Sequence, residues 1–223
     1  SIMPGRTHGQ HAVPTTFGAK VAVWLDEMGR HGDRLMEAEP RVFRAMLGGG
    51  AGTLASFGTQ GFEVQDAMAR ELGMLPMAVP SRTIGDHLAE YVLLLGLLAG
   101  TGAKIAREVY TLMKQEFGEL EEPVSPGTVG SSTMPQKRNP HLAQDIIAIA
   151  ADVRMQVPLA LEAMHIEHEA DRTMSLKIRI ATERAAEATG DMLARLQVVI
   201  GGLTVNPNRM RANLDLTDGL IMA

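Results

Sequence analysis

The chain has no cysteine, so neither a disulfide framework nor thiolate chemistry is open to it. Aromatic residues are scarce, only eight among 223, while methionine alone supplies 15. A core must therefore come from Leu, Ala, Met, Ile and Val, a set that suits helix packing. Positive charge is not in excess: 21 basic residues stand against 26 acidic ones, for a net charge of −5. No basic block and no interleaving of aromatic with basic residues occurs, so a nucleic-acid surface is not expected. No secretory signal opens the sequence. The longest apolar run, Tyr91 to Ala106, is interrupted by glycines, Thr101 and Lys104 and falls short of a membrane span. No alternating strand pattern rises above noise, and there is no internal repeat. The lack of cysteine fits a cytoplasmic protein, which is the expected location.

What is present is helical periodicity. Residues 1–14 read as an extended loop broken by Pro4, Gly5, Gly9 and Pro14. From about Thr15 a helical pattern runs through Phe17, Val21, Leu25, Met28 and Leu35, with Thr15 or Thr16 as N-cap. Pro40 is expected to kink or end this helix, the pattern resuming to Leu47 before the break at Gly48–Gly50. A shorter helix is expected over Gln60–Leu72, ended by Gly73. A long one follows from about Ile84 to Glu116, its centre apolar on every side. In a water-soluble protein that implies burial all round, and hence a helix at the heart of an oligomer. Further helices are expected over Pro140–Met164, with a kink at Pro158, and over Asp171–Leu203. Asn206-Pro207 reads as a cap followed by a first-turn proline. The class is all-α, long helices joined by loops. Gly48–Gly52 carries neither a P-loop lysine nor a dinucleotide fingerprint and reads as a bundle corner.

One stretch is neither helix nor strand material: Gly130-Ser131-Ser132-Thr133-Met134-Pro135-Gln136-Lys137-Arg138-Asn139-Pro140. Its two prolines lack backbone donors and restrict the residues before them. Adjacent hydroxyls, two cations and an amide in a loop between long helices are more in keeping with a site than with a spacer. Any one of these residues could be an ordinary turn serine or a solvated surface cation. The whole string resembles the GSSxMPxKxNP loop of the fumarase/aspartase superfamily. A second string, Gly5-Arg6-Thr7-His8-Gly9-Gln10-His11-Ala12-Val13-Pro14, resembles that superfamily's THxQxAxP segment. In layout the resemblance covers essentially the whole chain and leans to the adenylosuccinate lyase and 3-carboxy-cis,cis-muconate cycloisomerase branch. Both ends look cut, so the chain is expected to be the middle of a larger protein.

The resemblance implies a long-helix bundle of the L-aspartase-like type, with residues 1–203 forming the central bundle. Residues 204–223 would open a truncated C-terminal helical domain. It implies a homotetramer with composite active sites, a small-molecule carboxylate substrate, and no cofactor or metal. Ser131 matches the serine that takes a proton from the carbon beside a carboxylate; it can do so only if local dipoles and cations stabilise its alkoxide. Lys137 and Asn139 match substrate-carboxylate contacts, and such groups stabilise the dianion that proton loss creates. Thr7 and Gln10 match polar substrate-binding positions, and Ser132 and Met134 complete the loop's share of the site. His8 matches the histidine that protonates or positions the leaving group, a task suited to imidazole. Closure of the 117–139 loop would exclude water.

Some positions point in different directions. Many lyases of the superfamily carry a glutamate seven residues after the loop lysine, where this chain has Gln144 beside Asp145. An amide holds a ring but does not stabilise an imidazolium as a carboxylate does, which leans toward the cycloisomerases, whereas His8 leans back toward the lyases. Pro126–Val129 supplies none of the basic residues common there in adenylosuccinate lyases. Arg82 and Asp86 fall where relatives place polar residues near substrate. His165 and His168, with Glu167, Glu169 and Asp171, invite a metal reading, but spacing fixes no third ligand and a solvated or substrate-rim helix end is favoured. The leading expectation is β-elimination releasing fumarate or a close analogue. The alternative is a lactonising cycloisomerase; a structural homologue without activity comes third.

Overall fold

A computed structural model describes residues 1–124, 134 and 137–217. The chain is all-α, built on long helices. A hairpin of β1 (Ile2–Thr7) and β2 (Gln10–Thr16) leads into α1 (Phe17–Val42). Then come β3 (Arg44–Ala45), α2 (Gly61–Glu71), β4 (Leu75–Pro76), α3 (Asp86–Leu112) and β5 (Leu120–Glu121). The chain continues through α4 (His141–Glu162), α5 (Arg172–Gly202), β6 (Thr204–Val205) and α6 (Pro207–Leu214). It divides into two compact units: Ser1–Gly29, Gly100–Ala151 and Gly190–Ala223 in one, Arg30–Ala99 and Asp152–Thr189 in the other.

The opening segment corrects the sequence expectation of a loop. β1 and β2 pair antiparallel, and Pro4 stands opposite Pro14. Two facing prolines remove ladder donors, which is why the segment does not read as a strand pair. The register shifts between Pro4 and Arg6, and a Cβ on Gly5 would sit 2.6 Å from the Val13 carbonyl oxygen, so only glycine fits this bulge. The turn is His8-Gly9, with φ of 50° and 78°. Two successive positive φ values are the signature of the tight turn that matches strand twist.

α1 starts as expected: the Thr16 hydroxyl accepts from the Ala19 N–H at 3.1 Å. It passes through Pro40 and stops at Val42 rather than resuming to Leu47. Residues 44–45 instead pair in parallel with 75–76. Buried Gln65 clasps this corner, accepting from the Leu47 N–H at 3.1 Å and donating to the Met77 carbonyl at 2.9 Å. Gly52, at φ 77°, lies so close to Pro80 that a Cβ would meet its carbonyl oxygen at 2.6 Å. The glycine cluster is thus a packed corner.

α3 is 27 residues long and rich in apolar residues. By length and composition it could cross a membrane, contrary to the shorter run read from sequence. Val92, Leu95, Leu98 and Ala99 are buried in one unit, and Ile105, Ala106 and Val109 in the other, as in a core helix. Glycines let neighbouring helices approach closely. A Cβ on Gly96 would meet Val157 at 2.8 Å, and one on Gly102 would meet the Met192 sulfur at 2.9 Å. Burial is not complete all round, since Leu97 keeps 55 % of its surface.

Candidate active site

The residues singled out from sequence fall into three groups. Thr7, His8 and Gln10 are exposed together at the tip of the β1–β2 hairpin. Met134, Lys137 and Asn139 line a cleft of about 690 Å³, with Arg138, Tyr110, Lys114 and Glu121 also on its walls. Ser131 and Ser132 lie outside the described residues. The structure therefore gathers the loop's cation and amide into one concavity, and the hairpin's polar groups onto one tip. The tip residues are not among those lining that cleft.

The cleft walls are firmly seated. β5 supplies Leu120 and Glu121, and pairs with β6 through Leu120–Val205 and Glu121–Thr204. The turn between α3 and β5 is tied down by α6. Arg209 donates from Nε to the Phe117 carbonyl and from its terminal nitrogen to the Glu116 carbonyl, each at 3.0 Å. Asn206 caps α6, its side chain accepting from the Arg209 N–H at 3.1 Å, as its sequence setting before Pro207 indicates.

The hairpin is anchored just behind its tip. Arg6, next to Thr7, forks onto the fully buried Glu119 at 2.6 and 3.1 Å, a bidentate charge-assisted pair. The same guanidinium lies 4.8 Å from the centre of the Phe117 ring. Below the hairpin a cleft of about 520 Å³ is lined by Thr7, Val13, Trp24 and the Lys20–Glu108 ion pair, among others.

Asp145 is engaged elsewhere: its carboxylate holds Arg195 of α5 at 2.9 Å. The stand-in for a missing glutamate is thus already paired, and Gln144 is exposed on α4. Among the described residues no group of three or more His, Cys, Asp or Glu side chains could hold a metal ion, and the His165–His168 segment lies in the loop between α4 and α5. In the second unit Arg82 joins Arg172, Ser175 and Arg179 around a cleft of about 290 Å³. Sequence reasoning named only Arg82. The other three stand at i, i+3 and i+7 on α5, one helical face, and that spacing was the available signal. Asp86 opens α3 beside His87, whose pKa is lowered by burial against a smaller opposing effect of the Asp86 charge.

Comparison with known proteins places these residues in context. A family model described as lyase matches residues 1–155. N-acetyl-S-(2-succino)cysteine lyase of Dickeya dadantii is 40 % identical over 226 residues, covering 100 % of this chain and 49 % of the relative. Adenylosuccinate lyase of Pyrococcus abyssi is 40 % identical over 224 residues, covering 100 % of this chain and 50 % of the relative. The crystal structure of 3-carboxy-cis,cis-muconate lactonizing enzyme from Pseudomonas putida superimposes with a TM-score of 0.91 at 36 % identity, over 99 % of this chain and 48 % of that one. The chain thus spans about half the length of the curated relatives it matches. It belongs to the lyase family, in the adenylosuccinate lyase and carboxymuconate cycloisomerase branch of the fumarase/aspartase superfamily.

Proposed function

We propose that the protein containing this chain catalyses β-elimination from a succinylated amine or thioether and releases fumarate. The observation that carries this is the cleft in which Lys137, Arg138 and Asn139 converge, in a chain of this family. Removing a proton beside a carboxylate leaves a dianion, and a cation and an amide aimed at its oxygens lower that barrier. In the proposed step the Ser131 alkoxide takes the carbon-bound proton. Lys137 and Asn139 hold the carboxylate that gains charge, and Thr7, Gln10, Ser132 and Met134 complete the grip on substrate. The electron pair left on carbon forms the double bond as the C–N or C–S bond breaks, and its bonding pair leaves with the heteroatom. His8 gives that heteroatom a proton or positions it.

Residues 1–203 are assigned to the central bundle and 204–223 to the start of a further helical domain. The proposed assembly is a cytoplasmic homotetramer acting on a small carboxylate, without cofactor, nucleic acid or membrane. The exposed Leu97 in the apolar central stretch of α3 supports association, and a composite site would let one protomer's hairpin tip meet another's loop.

Lactonisation of a carboxymuconate is the second reading. Exposed Gln144 and the engagement of Asp145 with Arg195 favour it, because no carboxylate of that pair is free to charge His8. A panel of succinyl amines, succinyl thioethers and carboxymuconate on the full-length protein separates the readings. Fumarate release that is abolished in Ser131→Ala supports elimination; turnover of carboxymuconate alone, or unchanged release in that variant, overturns it.

A further inference from the structure

Two buried carboxylates flank β5, and the reaction proposed above uses neither. Glu119 has no exposed surface and Glu122 only 7 %. A carboxylate is costly to bury unless it is paired and hydrogen-bonded, and both of these are. Glu119 takes the Arg6 fork and accepts from the Asn213 amide of α6 at 2.7 Å. Glu122 accepts from the Leu142 N–H at 2.9 Å and the Ala143 N–H at 3.0 Å.

Those two N–H groups belong to the first turn of α4, where a helix has no internal acceptors for its donors. Pro140, the residue ahead of that turn, has no side-chain acceptor. Glu122 therefore caps the helix from twenty residues upstream, and its charge suits the positive end of the helix. The two carboxylates grip opposite ends of the candidate machinery. Glu119 fixes the residue before Thr7. Glu122 fixes the turn that follows Lys137 and Asn139. Between them, Leu120 and Glu121 line the same cleft as Lys137 and Asn139.

We propose that Glu119 and Glu122 are positioning residues: a two-carboxylate bracket flanking β5 that sets where the hairpin tip and the Lys137–Asn139 segment stand. Neither touches substrate. The place of each part is then set by a buried carboxylate beside β5 rather than by the turn that carries it. This rests on reading the cleft as an elimination site.

The test uses the full-length protein with a succinyl thioether and a succinyl amine as probes, and hydrogen exchange at the Leu142 and Ala143 amides. In Glu122→Gln one acceptor oxygen becomes a donor. The expected result is a folded protein whose two amides lose protection and whose kcat falls about 10- to 100-fold, the scale on which small misplacements act. KM should change much less. Glu122→Asp, which keeps the charge with a shorter reach, should recover part of the rate, and Arg6→Lys, which loses the fork, should lower kcat in the same way. A kcat within twofold of wild type despite lost protection would make Glu122 a helix cap and nothing more, overturning the bracket while leaving the elimination reading intact. Undiminished protection in Glu122→Gln would overturn it equally. A wild-type protein that turns over neither probe defeats the elimination reading, and the bracket falls with it.

Discussion

Two helices of this chain begin in different ways. α5 is capped locally: the Asp171 side chain accepts from the Thr173 N–H at 2.8 Å, and its carbonyl takes the Ser175 hydroxyl at 3.0 Å. α4 has a proline where such a cap would be and borrows Glu122 instead. A local cap is the simpler way to stabilise a helix, because the acceptor and the donors are already close in the chain. A remote cap adds something else, a fixed position for the start of one element relative to another. It occurs in the helix that follows the Lys137–Asn139 segment, where the proposed function gives position a chemical use.

The contrast can be sharpened by removing acceptors one at a time. The largest loss is expected for Glu119→Ala, which leaves the Arg6 guanidinium with its buried partner gone. Breaking a buried pair in this way costs about 3–5 kcal/mol, read as a shift in the denaturant midpoint. Glu122→Ala should cost about 1–3 kcal/mol, the range for buried donors left unsatisfied, and should also lower turnover. Asp171→Ala should cost about 1 kcal/mol, as an ordinary cap does, and leave turnover unchanged. If Asp171→Ala lowers kcat as much as Glu122→Ala does, the distinction between local and remote capping has no functional content.

The smallest effect is a pH dependence at His87. Burial lowers its pKa, so as the pH falls through about 6.5 the unfolded chain takes up the proton before the folded one does. His87 thus costs no stability above that value and lowers it progressively below. His87→Gln should flatten the acid side of a melting-temperature profile; an unchanged profile would mean that the group titrates alike in both states.

Much of the fold was legible in the sequence. The 3.6-residue periodicity located each long helix, and all their ends but that of α1 to within a few residues, and Thr16, Gly73 and the Asn206-Pro207 pair marked boundaries that the structure keeps. The hairpin was not legible, because Pro4 and Pro14, which read as loop breakers, face each other across a bulge. The end of α1 was missed for a related reason. Pro40 lies two residues before the helix end, which gives way to the corner that Gln65 clasps, and that contact reaches 18 residues along the chain. At the candidate site, motif residues named Lys137, Asn139 and Met134 before any geometry was known. Glu119 and Glu122 carried no such mark. Their partners lie 113 and 20 residues away, and a bare Glu-Leu-Glu-Glu string reads as solvated surface until the fold closes around it. The arginines of α5 needed Arg82 from another segment to become a cleft.

The central claim is that the Lys137–Asn139 cleft stabilises negative charge on a carboxylate as a proton leaves the neighbouring carbon. Fumarate release by the full-length protein, measured by ultraviolet absorbance beside a Lys137→Gln variant of the same fold, tests it most directly. The account predicts release by the wild type and a kcat/KM about 10²–10³-fold lower in the variant, the usual loss on removing one group that stabilises a developing oxyanion. Equal rates in the two proteins would contradict it.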